Sequence, residues 1–168
     1  MTSVDLFGIK ERIVAILKAD TTNLWWTNED PSTKTRFRKI EAGAPTPKAA
    51  EEPPLPRCWV TDDNPIANVS IITDVASNVP GGTQYEINLK IIYIAEAKDG
   101  QKTEEDLDDF TKSIIEQLQT NYDLRTPGGL ESTRLADSSK VVQIMKLPVT
   151  VGDVVQGREI RFKVFATA

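Results

Sequence analysis

From Gln84 to Ala95 the chain alternates. Tyr85, Ile87, Leu89, Ile91 and Tyr93 share one face; Glu86, Asn88 and Lys90 share the other, which turns apolar at Ile92 and Ile94. Successive side chains of a strand point to opposite faces, so this period suits a strand that lays one face on a core. A half-buried antiparallel sheet is the expected frame. Other segments join it. Arg57–Thr61 and Val69–Thr73 read as two strands, and Val79-Pro80-Gly81-Gly82-Thr83 as the turn before the long strand. Val141–Val151 alternates again, with Val141, Met145, Leu147, Val149 and Val151 on one face; Pro148 marks an edge or an interruption. Glu159–Thr167 closes the chain with Ile160, Phe162, Val164 and Ala166 inward and Arg161 and Lys163 outward.

Two segments change period. Leu6, Ile9, Ile13, Ile16 and Leu17 recur at helical spacing and predict a helix over Val4–Ala19, started by a Thr2-x-x-Asp5 capping box or by Ser3. Leu107, Phe110, Ile114 and Leu118 predict a second helix over Thr103–Thr120, capped by Thr103, with acids in its first turn. That stripe should pack on the sheet face carrying Ile87, Leu89 and Ile91. Thr21–Pro56 has no sustained period and holds six prolines, and 27–56 reads as a long loop. Its Thr27–Glu52 part is expected to move in an isolated subunit and to order on assembly. Pro53-x-x-Pro56 fits a polyproline ligand, but a plain connector is the preferred reading. The expectation is one α+β domain over 1–168: a mainly antiparallel sheet of about four to six strands with two principal helices on one face.

Composition narrows the chemistry. The chain has no histidine and a single cysteine, Cys58, beside Trp59 in an apolar strand. Triads and zinc sites that need His or paired Cys are therefore impossible, and Cys58 reads as a small core residue. The acids Glu104, Glu105, Asp106, Asp108 and Asp109 spread around a helix axis and do not converge. Gly81-Gly82 and Gly128-Gly129 both follow proline as turns do, and neither leads into the Lys-Ser or Lys-Thr of a phosphate loop. We expect no enzyme activity, no cofactor and no metal. The net charge of −5 disfavours a whole-surface nucleic-acid binder. No apolar run approaches a bilayer span, and the first residues lack the pattern of a signal peptide.

Two features point to partners. Trp25 and Trp26 are adjacent and cannot both face inward from one element; core packing and partner contact both stay open for them. Lys34, Arg36, Arg38 and Lys39 form a basic run around Phe37 that suits an acidic neighbour, a phosphate backbone or a solvated loop.

An opening helix over Leu6–Leu17 leads through Pro53-Pro54-Leu55-Pro56 into Arg57-Cys58-Trp59-Val60; the strand Tyr85–Ala95 precedes the acidic helix Glu104–Gln119, and Ile160–Ala166 closes the chain. In this pattern and order the chain resembles the tail-terminator or tail-completion proteins of long-tailed bacteriophages and related archaeal viruses. The resemblance implies a virion structural protein assembled in the host cytoplasm. It implies a homo-oligomeric ring, six copies by expectation, that caps the tail tube, stops its growth and meets the head-neck connector protein. DNA would pass through without specific binding. The basic residues Lys34, Arg36, Arg38 and Lys39 would then face protein neighbours. Alternatives are a neck adaptor, another tail-completion protein, or a non-viral binding module using the basic loop 34–39.

Overall fold

A computed structural model describes residues 4–27, 34–45, 55–74, 79–96, 100–125, 135–147 and 155–167. Among these residues two helices and five strands follow in the order α1 (Leu6–Ala19), β1 (Lys39–Ala42), β2 (Arg57–Asp74), β3 (Val79–Glu96), α2 (Gly100–Thr120), β4 (Ser138–Lys146) and β5 (Val155–Thr167). They form one sheet in the order β1-β2-β3-β5-β4. Every pairing is antiparallel except β1 on β2. The α+β fold inferred from the periods is the fold found.

The core lies between one sheet face and the two helices. Cross-strand register sets Cys58 beside Tyr93, Val60 beside Ile91, and Ile91 beside Ile160. Leu89 meets Phe162 and Ile87 meets Val164 on the same face. All of these are buried, in one cluster with Ile9, Ile13, Ile16 and Leu17 of α1 and Leu107, Phe110, Ile114 and Leu118 of α2. The predicted helix stripes and the long strand therefore meet as expected. Burying a large apolar side chain contributes roughly 1.5–3 kcal/mol, so these rows hold the two layers together.

Boundaries moved for local reasons. The cap of α1 is Asp5, whose carboxylate accepts from Gly8 N at 2.9 Å, so the helix starts later than Val4. α2 starts at Gly100, which puts Thr103 inside the helix and leaves no acid in its first turn. Thr103 is buried and its hydroxyl donates to Glu96 O at 3.4 Å. The two strands expected over 57–73 are one strand, β2, broken in register between Asp62 and Ala67. The turn expected at Val79–Thr83 belongs to β3; Gly82, at φ 115°, sits beside a second register break opposite Ile72–Thr73. That backbone region favours glycine, so Gly82 serves an irregular strand instead of a turn.

β4 is an edge strand, but a register shift between Val141 and Gln143 changes its parity. Val141 lies opposite Phe162 and Ile144 opposite Ile160, on the helix side, whereas Met145 lies opposite Glu159 on the other. The expected single face of Val141, Met145 and Leu147 is therefore split by a bulge. Pro148, Val149 and Val151 fall outside the described residues, as do Thr2 and Ser3, Pro53 and Pro54, and Gly128 and Gly129.

The β2–β3 pair runs past the rest of the sheet. β5 pairs with β3 only as far as Thr167 opposite Gln84, while β2 and β3 continue pairing to Asp74 opposite Val79. The result is a two-stranded arm. Val69 and Ile71 pair with Tyr85 and Thr83, on the face that carries Ile87 further along, but no helix of the described residues covers them: Val69 is 58% and Ile71 74% exposed.

Candidate functional site: a basic and aromatic pocket at the start of the sheet

The chain leaves α1 through a turn closed by Asp20, whose carboxylate accepts from Asn23 N at 2.9 Å. Leu24 N and Trp25 N then donate to Asp20 O at 3.0 and 2.8 Å. Phe37 N donates to Leu24 O at 2.8 Å, Trp26 N to Phe37 O at 3.2 Å, and Arg38 N to Pro56 O at 2.8 Å. A single parallel bridge, Trp25 with Phe37, thus joins the tryptophan pair to the basic run just before β1. Part of the segment expected to be a mobile loop is therefore built into the sheet: β1 pairs with Arg57–Val60, and Ile40 is buried. The remainder of the loop, 28–33 and 46–54, lies outside the described residues.

The extended backbone sends alternate residues to different places. Phe37 enters the core, stacked on Phe110 with ring centroids 4.1 Å apart and edge-on to Tyr93. Arg36 is 2% exposed, with Nη1 donating to Thr21 O at 2.5 Å. This overturns the expectation that Arg36 faces a neighbour: a buried guanidinium bonded to a chain carbonyl is part of the subunit's own packing. Arg38 lays its guanidinium over the Trp26 ring at 3.7 Å. Among the described residues Arg38 makes no ion pair. Lys34 donates from Nζ to Asn23 Oδ1.

Trp26, Lys34, Arg36 and Arg38 line one pocket of about 270 Å³, with Pro56, Glu96 and Asp106 among its other lining residues. Four of the six candidate residues are thus brought together. Trp25 is not among them: it packs against the core cluster and takes Lys18 Nζ over its ring at 4.7 Å. Lys39 is also elsewhere, 3.2 Å from Glu41, which accepts from Trp59 Nε1 at 3.0 Å. Sequence reading did not mention Glu96 and did not assign Asp106 to this site. The only local signal was Lys102 four residues before Asp106; they pair at 3.0 Å, and this holds the Lys102 ammonium above its usual range.

The acids of α2 do not gather. Glu104 and Asp108 hold Arg158 of β5, Glu104 also meets Lys146 at 3.3 Å, and Asp106 takes Lys102. Burial works against the Arg158 charge, but the Asp108 hydrogen bond and charge overcome it, so its pKa is raised. Among the described residues no three His, Cys, Asp or Glu side chains gather in a group that could hold a metal ion. Cys58 is buried and free, and burial pushes its thiol far up. The pocket can grip a hydrogen-bond acceptor between Lys34 and Arg38 and stack a flat group near Trp26. No helix of the described residues is long and apolar enough to cross a membrane. No protein-family model matches the sequence, and no curated protein matches it.

Proposed function

We propose that this protein is a virion structural subunit of the tail-terminator type, a ring of identical copies that caps the tail tube and joins the tail to the head-neck. The arm carries this reading. A two-stranded hairpin with a bare apolar face is marginal in water by itself, and Val69 and Ile71 at 58% and 74% exposure need a partner to cover them. A subunit that closes a ring must also present two unlike surfaces, because cyclic contacts are heterologous. The pocket at Trp26 and Arg38 is a separate surface, suited to an acidic group on a tail-tube or connector protein. DNA would cross such a ring without specific binding, since the subunit carries −5 net charge.

The rival reading, a module that binds nucleic acid through 34–39, is weakened by two of its four cations. Arg36 is buried, and Lys39 is engaged with Glu41. The test is to add the protein to purified tail tubes and follow tube growth and tube ends by electron microscopy. One ring at a tube end and arrested growth are expected. Rings that ignore tube ends would reject the capping role.

A further inference from the structure

The sheet has two open edges among the described residues, and they match. β1 pairs only with Arg57–Val60, so the outer edge of β2 from Ala67 to Asp74 has no neighbouring strand. β4 pairs only with β5, so its outer edge from Ser138 to Lys146 is open as well. The two are of nearly equal length and lie at opposite sides of one sheet. Both carry apolar side chains in water: Val69 and Ile71 on β2, and Val142 and Ile144, 51% and 47% exposed, on β4. Open edges of this kind are normally shielded by charge, proline or a covering element. Here the centre of each, Val69–Ile72 and Val141–Met145, holds no charge and no proline.

We infer that these edges are each other's partners: β4 of one copy pairs with the β2 arm of the next, continuing the sheet from subunit to subunit. Three observations choose this occupant. The exposed Val69 and Ile71 lie on the helix side of the sheet, and so does Ile144, opposite Ile160. A sheet that continues with its helices on one side therefore sets these apolar residues into cross-strand contact on the same face. The charges are also complementary, since β4 carries Lys140 and Lys146, and Ala67–Asp74 has no basic residue and ends on Asp74. A two-fold pairing of β4 with itself is disfavoured. Centred on Gln143 and antiparallel, it sets Lys140 opposite Lys146 twice, and like charges directly opposite destabilise a sheet. The pairing of β4 with the arm is head-to-tail, and such a contact closes into a ring when the rotation between copies allows.

The inference deepens the assembly reading and rests on it for the meeting of copies, but not for the tail tube. Its test uses Ile71→Lys on the arm and Ile144→Lys on β4, with Val69→Lys and Val142→Lys as a second pair. All four sites are solvent-exposed, and urea unfolding checks that each variant folds as the wild type does. Sedimentation velocity from roughly 1 μM to 1 mM should show closed assemblies for the wild type. Each variant should associate at least roughly a hundredfold more weakly, because it buries an unpaired charge in the contact. Mixing Ile71→Lys with Ile144→Lys should give a one-to-one species of twice the 18.6 kDa subunit mass and nothing larger, since only one pair of intact edges remains. A monomeric wild type, a variant that assembles normally, or a mixture that stays monomeric would each overturn the edge pairing. Assembly through other surfaces would leave the ring reading standing, and edge-paired rings that ignore tail tubes would remove the capping role alone.

Discussion

Phe37 stacks on Phe110 with their ring centroids 4.1 Å apart and their planes 21° from parallel. The contact ties a segment without periodicity to the most strongly periodic helix of the chain. Both rings are buried, at 0% and 2% exposure, so truncating either to alanine should cost about 3–5 kcal/mol in urea unfolding. The double mutant should cost less than the sum of the two, by about 0.5–1.5 kcal/mol, the usual worth of an aromatic pair. A loss below about 1 kcal/mol for Phe37→Ala would mean that this segment is not part of the core.

Alkaline pH should destabilise the fold in two steps. Burial raises the Cys58 thiol above its ordinary 9.0. Burial also raises the Tyr93 phenol from 10.0 to about 12, against the opposing hydrogen bond with Thr111 and the charge of Arg158. Both groups are neutral when protonated. Above each ordinary value the unfolded chain has lost its proton while the folded chain keeps it, so stability present below that pH is lost as pH rises. The urea midpoint should begin to fall near pH 9 and fall faster above pH 10, with Tyr93 accounting for roughly 2 kcal/mol by pH 12. Tyr93→Phe should remove the second step and Cys58→Ala the first. A midpoint that is flat to pH 11 in the wild type would contradict this.

Gly157 should not accept a side chain. A Cβ there would lie 2.8 Å from the carbonyl oxygen of Tyr93, a backbone atom of the neighbouring strand, and 2.7 and 2.8 Å from Leu147 and Ile94. The side chains can turn aside, but the paired strand can yield only by breaking register. Gly157→Ala should therefore lose about 1–3 kcal/mol despite the better strand propensity of alanine. An unchanged midpoint in urea would show that β5 can shift at this point.

What the sequence made legible is the part of the fold that repeats. Ile87, Leu89 and Ile91, Ile160, Phe162 and Val164, and the stripe from Leu107 to Leu118 each bury one face over several periods, and a period survives small errors of boundary. β1 has four residues and one buried side chain, Ile40, so it leaves no period to detect. The bulge after Val141 reverses parity within one strand, which no alternation rule foresees. Arg36 was misread because charge predicts exposure on average, while its burial depends on Thr21 O, a chain carbonyl fifteen residues away. The pocket was half legible: Trp26, Lys34, Arg36 and Arg38 are close in sequence, but Glu96 and Asp106 reach it through β3 and α2.

Arg36 and Arg38 are two residues apart and should respond oppositely to the same change. Arg36 is 2% exposed and bonded to Thr21 O, so Arg36→Glu replaces a donor with a buried carboxylate facing a carbonyl oxygen. Two acceptors then meet in a site shut off from water. The cost should be roughly 3 kcal/mol or more in urea unfolding, and any loss of assembly should follow from unfolding. Arg38 is half-buried over Trp26 at 3.7 Å, with its charge open to the pocket. Arg38→Glu should cost only about 1 kcal/mol, the worth of the cation–π contact, and leave the subunit folded. It also places a carboxylate beside Glu96 and Asp106, so an acidic partner should bind at least tenfold more weakly, while self-association through the sheet edges stays intact. Unfolding curves and sedimentation of both variants beside the wild type separate the two roles. An Arg36→Glu variant as stable as the wild type would return Arg36 to the surface, and an Arg38→Glu variant that unfolds would make the Trp26 stack a structural element instead of a docking site.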